Sequence, residues 1–183
     1  MKVIDTFIKD LKIIIPDIFE DHRGYFFESF NKQKFFEHGL KFDFIQDNQS
    51  KSGYGTIRGL HFQKEPYAQV KLVRVLFGEI IDVAVDLRAS SQTFGKSFSV
   101  KLNDENKKQL LIPRGFAHGF GVLSETAIVI YKIDNIYKPE SECGLMYNDE
   151  HFKIEWEIPD ISIILSEKDK KNKLFSFQDI YFK

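Results

Sequence analysis

The chain has 183 residues, 43% of them hydrophobic and 29% charged, and its 26 Lys and Arg against 27 Asp and Glu leave a formal net charge of -1. That length predicts one domain over residues 1–183 with a sizeable buried core, and the composition excludes a disordered chain. The charge balance excludes nucleic-acid binding through a basic surface, the single Cys143 excludes an internal disulfide framework, and no apolar stretch approaches the length of a membrane span. The segment MKVIDTFIKD lacks the uninterrupted apolar run of a signal peptide, so a reducing, cytoplasmic setting is predicted. Nineteen Phe predict a core or cavity lined by rings, or a broad subunit interface.

Residues 11–18 (LKIIIPDI) predict a strand that Pro16 places at an edge or end. Asp21 to Gly24 predicts a turn, and Tyr25 to Phe30 an extended aromatic segment. Asn31 predicts the cap of a short helix through Phe35 and Phe36 that closes at Gly39. Phe42 to Gln46 predicts a short extended run, and the polar stretch from Asp47 to Gly55 a loop. Strands are then predicted over Thr56 to Gln63, Gln69 to Phe77, and Glu79 to Leu87 after a turn at Gly78. In the last of these, Ile81, Val83, Val85 and Leu87 share one face while Asp82 and Asp86 share the other. Phe98, Val100 and Leu102 alternate, Asn103 to Lys108 predicts a turn, and Gln109 to Ile112 extends again. Ile112 to Phe120 predicts a tight Pro-Gly turn carrying His118, and Thr126 to Lys132 a strand with Ala127, Val129 and Tyr131 on one face. Ser166 to Asn172 predicts one helical turn capped by Ser166. Many short strands with frequent turns predict an antiparallel sandwich or barrel able to hold a ligand in its mouth.

Lys71 draws attention because alternation places it on the face of Val73 and Val75. An ammonium there loses hydration, so it has a partner or a purpose, or else its stem packs while its head reaches water. The run Pro113-Arg114-Gly115-Phe116-Ala117-His118 resembles the second motif of the cupin superfamily, a group of small double-sheet barrels. The first cupin motif asks for two histidines one residue apart, whereas here His61 is followed by Phe62 and Gln63. With an amide in place of an imidazole, no metal is expected. A turn histidine bonded to backbone is the plain alternative for His118.

A larger set of segments is more specific. Arg23-Gly24, Glu28-Ser29-Phe30, Gln46-Asp47-Asn48, RGLHFQ from Arg58, QVKLVRV from Gln69, DVAVDLR from Asp82, the Pro-Gly-His turn, Tyr131-Lys132, Tyr137, Asn148-Asp149 and Ser166-Glu167-Lys168-Asp169 occur in this order. From about Ile13 to Asp169 the chain closely resembles the dTDP-4-dehydrorhamnose 3,5-epimerase family. It differs from the usual family pattern at Gln49, at Tyr147, and in lacking a proline after Lys168-Asp169.

The resemblance implies an all-β fold, a cupin-type double-sheet β-barrel or jelly roll with a few short peripheral helices. It implies a cofactor-independent isomerase that inverts C3 and C5 of dTDP-4-dehydro-6-deoxy-D-glucose through an enolate, for the sugars of surface polysaccharides. It implies His61 as base, Asp169 as the group that orients it, Tyr131 as proton donor on the opposite face and Lys71 beside the C4 oxygen. Each of these has a plain alternative: Asp169 completes a capping turn, Tyr131 is a core residue, and His61 is structural. Arg23, Arg58 and His118 are implied as contacts of the diphosphate and sugar. Gln46, Asp47, Asn48, Tyr137, Glu28, Glu142 and Lys168 are implied near the nucleotide or sugar. The resemblance further implies a homodimer with an exchanged N-terminal segment, Arg23, Phe26 and Glu28 reaching the partner's site and Phe26 free to stack on the base. Alternation alone puts Arg58 and His61 on opposite faces, so Gly59 is expected to mark a bulge. Rival readings are a GDP-linked 4-keto-heptose epimerase, a C3-only epimerase, a metal-dependent cupin isomerase or dioxygenase, and a non-catalytic sugar-nucleotide binding module.

Overall fold

A computed structural model describes residues 1–183. The chain enters through β1 (Lys2–Asp5) and β2 (Lys12–Ile15), which pair antiparallel with Ile4 opposite Ile13, and Pro16 follows the last paired residue of β2. The short strands β3 (Phe19–Asp21) and β4 (Gly24–Phe26) then form a separate hairpin. Its turn is locked by Asp21, which accepts hydrogen bonds from the Arg23 amide and guanidinium. Helix α1 (Lys32–Glu37) begins where Asn31 accepts from the Lys34 amide at 3.2 Å. The main strands follow as β5 (Gln46–Gly53), β6 (Ile57–Gln63), β7 (Lys71–Phe77), β8 (Glu79–Asp86), β9 (Ser97–Asn103), β10 (Gln109–Ile112), β11 (Phe116–Val122), β12 (Thr126–Ile133) and β13 (Glu142–Gly144).

Two antiparallel sheets face one another. One has six strands in the order β1-β2-β10-β7-β12-β5, the other five in the order β13-β6-β11-β8-β9. Val73, Val75, Ala127 and Val129 of the first meet Ile80, Ala84, Phe116 and Phe120 of the second in the central core. A second core lies behind the five-stranded sheet, where Ile81, Val83 and Val85 pack against Leu145, Phe152, Trp156, Ile158 and Phe182 of the C-terminal segment. A third sits behind the six-stranded sheet, with Phe35 of α1 against Ile14, Leu72 and Leu111. The all-β, double-sheet expectation is met, but the two sheets stay separate ladders and do not close into a barrel. No helix is long and apolar enough to cross a membrane.

Several local expectations need correction. Asp47 to Gly55 is not a loop: Gln46–Gly53 pairs with β12 over its whole length. As an edge strand whose inner face lines a polar cavity, it carries no apolar alternation to reveal it. The predicted extended run over Phe42 to Gln46 forms no strand before Gln46. The Pro-Gly turn ends at Gly115, and His118 lies in the middle of β11, the buried central strand of its sheet. A strand buried on both faces has no period of two to read. Strands β1 and β13 also went unpredicted. The many Phe do not line the cavity as a group; Phe19 and Phe26 stand exposed on the hairpin at 63% and 67%.

Candidate active site

Between the sheets opens a cavity of about 420 Å³ lined by Arg58, His61, His118 and Phe120 from the five-stranded sheet, and by Ser50, Lys71 and Tyr131 from the six-stranded one. The loop Ile164 to Asp169 closes one side. A neighbouring lobe of about 310 Å³ shares His61, Lys71 and Tyr131 and continues along Gln46, Asn48, Gln63, Tyr137 and Glu142. These three shared side chains therefore stand where the two lobes meet.

Arg58 and His61 reach the same cavity because β6 is irregular. Arg58 pairs with Phe120 and His61 with His118, so two residues of β6 oppose the single Gly119 of β11. The extra residue turns His61 onto the face of Arg58. Gly59 adopts φ +130°, and a Cβ on it would lie 2.5 Å from the Cα of Gly119. The two backbones touch there, and only glycine at both positions permits it.

His61 is partly buried, and its Nε2–H donates to Asp169 Oδ1 at 2.5 Å. That bond fixes the tautomer and leaves the Nδ1 lone pair free. Burial favours the neutral form of Asp169, but the bonds from His61, Ser166 and Asn172 outweigh it and hold the carboxyl below its ordinary range. Asp169 opens the single helical turn Asp169–Lys171, so the expected turn and the expected pairing with His61 coexist. Ser166 accepts from the Asp169 amide at 3.0 Å, as a cap does.

Lys71 forms no ion pair or hydrogen bond with any side chain. Burial lowers its pKa to about 8, against the pull of Asp82 and Glu142. Asp82, fully buried, accepts from His118 Nε2 at 2.8 Å through one oxygen and leaves the other without a partner. His118 is thus bonded to a carboxylate, not to backbone, and burial holds it below the ordinary imidazole range. Tyr131 lies between Asn48 of β5 and Val73 of β7, and burial raises its phenol, which keeps it protonated at neutral pH. Arg58 donates its Nε to Ser52 at 2.9 Å, which leaves its two terminal nitrogens without a partner in the protein.

The remaining predicted residues divide into two groups. Glu142 accepts from Tyr137 at 2.5 Å and pairs with Lys168 at 2.5 Å, a polar rim on the second lobe. Asp47 points to the opposite face of β5 from Gln46 and Asn48 and pairs with Lys132 at 2.8 Å. Arg23, Phe26 and Glu28 lie on or just after the hairpin and line neither lobe; Glu28 is bonded to Asn31 and Lys34. Sequence reasoning missed Asp82 as a partner of His118, Ser50 as a cavity residue and Ser52 as the partner of Arg58. The paired acidic positions of DVAVDLR were visible, but nothing in the sequence said that the acidic face turns inward. Gln63 is buried, donates to the carbonyls of Tyr67 and Ile136 and accepts from the Lys138 amide, so its amide is fully used in bracing the chain. No group of three or more His, Cys, Asp or Glu side chains is placed to hold a metal ion.

Residues 5–176 match the family model described as dTDP-4-dehydrorhamnose 3,5-epimerase. A curated relative of that name from Shigella flexneri is 51% identical over 183 residues, covering 99% of each chain. The crystal structure of a dTDP-4-dehydrorhamnose 3,5-epimerase from Elizabethkingia anophelis superposes with a TM-score of 0.92 at 55% identity over 96% of each chain. That of a dTDP-6-deoxy-D-glucose-3,5-epimerase from Legionella pneumophila in complex with dTDP-4-keto-L-rhamnose gives 0.91 at 48% identity, covering 94% of this chain and 92% of the other.

Proposed function

The chain belongs to the dTDP-4-dehydrorhamnose 3,5-epimerase family, and on that premise we propose that it converts dTDP-4-dehydro-6-deoxy-D-glucose to dTDP-4-dehydro-L-rhamnose. The observation that carries the reading is the meeting of three groups at the junction of the two lobes: an imidazole backed by a buried carboxylate, a phenol, and a lysine with no counter-ion. A ketone at C4 acidifies the protons on C3 and C5. His61 takes such a proton, and Asp169 stabilises the imidazolium that results. The electron pair moves into an enolate, whose oxygen the Lys71 ammonium offsets. Tyr131 returns a proton to the carbon from the opposite face, and exchange with solvent resets both groups. Arg58, with two free terminal nitrogens, and His118 hold the diphosphate and sugar. Gln46, Asn48, Tyr137, Glu142 and Lys168 line the way to the nucleotide.

The hairpin supports a homodimer with exchanged segments. Arg23 and Phe26 project into solvent away from their own cavity, so they serve the site of a second copy. Asp47, paired with Lys132 on the outer face of β5, faces away from both lobes and takes no part in this reading. Residues 1–183 form one catalytic domain, since the six-stranded sheet joins strands from the N-terminus to β12, and it works in the cytoplasm.

Incubation with a panel of dTDP- and GDP-linked 4-keto-sugars in D₂O, followed by NMR, tests the reading. Label is expected at C3 and C5 of the dTDP-linked 6-deoxyhexose. His61→Ala abolishes uptake at both carbons, whereas Tyr131→Phe impairs inversion more than proton removal. Label on none of these sugars, or equal loss of both steps in the Tyr131 variant, overturns the assignment.

A further inference from the structure

The carboxylate that backs His61 is itself held from behind. Ser166 Oγ accepts the Asp169 amide at 3.0 Å and donates to Asp169 Oδ2 at 2.8 Å. A serine hydroxyl has one proton, and with a lone pair already taken by the amide that proton is directed at Oδ2. Oδ1 is then the oxygen left for His61. On the far side, the Asn172 amide lies within 3.5 Å of Oδ1. Its place is made by Gly144, where an added Cβ would stand 2.1 Å from Asn172 Oδ1. Gly144 is also the residue of β13 that pairs with His61. The strand that carries the base, the strand beside it and the loop that carries the carboxylate are therefore fitted together at one point.

We propose that Ser166 is a positioning residue for catalysis: it fixes the Asp169 carboxylate so that one oxygen faces the His61 ring, with Asn172 seated over Gly144 as the opposing stop. The inference rests on His61 acting as the base. Among the groups facing His61, Asp169 alone hydrogen-bonds it; Arg58 of β6, Lys71 of β7, His118 of β11, Tyr131 of β12 and Glu142 of β13 stand around it. Losing the serine proton concentrates charge on Oδ1, which holds a proton on the imidazole more firmly. The acid limb of kcat/KM then moves to higher pH.

The test compares wild type with Ser166→Ala, Ser166→Thr, Ser166→Cys and Gly144→Ala, following deuterium uptake from D₂O by dTDP-4-dehydro-6-deoxy-D-glucose across pH. Ser166→Ala is expected to lower kcat roughly 10–100-fold, a part of what a positioned base contributes, with KM unchanged and the acid limb raised. Ser166→Thr restores most of the rate. Ser166→Cys keeps the shape of the site with a weaker donor, holds the fold and gives an intermediate kcat. Gly144→Ala, acting from the other side, lowers kcat while sparing KM. Wild-type kcat and pH limb in the Ala and Cys variants would overturn the proposal, as would a loss that Thr fails to restore. Absence of label with the wild-type enzyme would instead sink the underlying assignment of the base.

Discussion

Lys71 is under two opposing demands. Burial without a counter-ion lowers its pKa from 10.5 to about 8, so at neutral pH the folded state holds an ammonium in surroundings that disfavour it. The unfolded chain keeps its proton up to 10.5 while the folded one releases it near 8. Within that window the unfolded state binds more protons, and stability rises with pH. Under the proposed role of Lys71, activity runs the other way, since the cation assigned to the enolate is lost as pH rises through about 8. Replacing Lys71 with Met is therefore expected to stabilise the protein at pH 7 by roughly 1–2 kcal/mol and to lower kcat by about 10²–10³-fold. Thermal melts read the first effect and turnover the second; a variant less stable than wild type would contradict this account. The wild-type rate should also fall above pH 8, a limb that the Met variant's residual rate lacks.

At the scale of elements, the bulge in β6 decides whether there is a site at all. A Cβ at Gly59 would meet Gly119 Cα at 2.5 Å and the His118 carbonyl at 2.9 Å, backbone that cannot swing aside, at a φ of +130°. Gly59→Ala is expected to cost more than about 3 kcal/mol and to abolish activity even where the protein still folds, because His61 and Arg58 no longer share a cavity. Urea titration with parallel assays reads both; a variant of wild-type stability would show the bulge to be tolerant. The need for this irregularity was legible once the family resemblance put Arg58 and His61 in one site, since RGLHFQ sets the two an odd number of positions apart. Strands β6, β7 and β8 were legible too, through apolar faces that alternate against a core. β5 was not, because its inner residues Gln46, Asn48 and Ser50 face the cavity and its outer ones face solvent. β11 was not, because a central strand wedged between β6 and β8 needs small residues such as Ala117 and Gly119 as much as apolar ones. The tertiary partners of a residue also stayed hidden: His118 could be placed in the site, but its bond to Asp82 depends on two strands adjacent only in space.

Across the whole molecule, the hairpin β3–β4 has no role in its own cavity. Phe19, Tyr25 and Phe26 are exposed on it at 63%, 55% and 67%, and Arg23 is bonded only to Asp21. Such rings are buried in a working protein when a partner covers them. If that partner is a second copy, each site combines His61 of one chain with Arg23 of the other, as a two-fold dimer requires. The arrangement predicts complementation between two impaired variants. His61→Ala keeps a good hairpin beside a dead base; Arg23→Ala keeps a good base beside a hairpin that binds diphosphate poorly, with KM raised about 10–100-fold. In a mixed dimer, the core of the Arg23→Ala chain receives the intact hairpin of the His61→Ala chain, and one whole site is restored. Co-expression of the two in equal amounts should therefore recover about a quarter of wild-type activity at low substrate concentration, since half of the dimers are mixed and each has one restored site. The double variant His61→Ala, Arg23→Ala mixed with wild type restores no site, because the wild-type core of a mixed dimer receives the altered hairpin, and only the wild-type dimers keep whole sites. Activity in the mixture no greater than the sum of the two variants assayed apart would mean that the hairpin serves another surface.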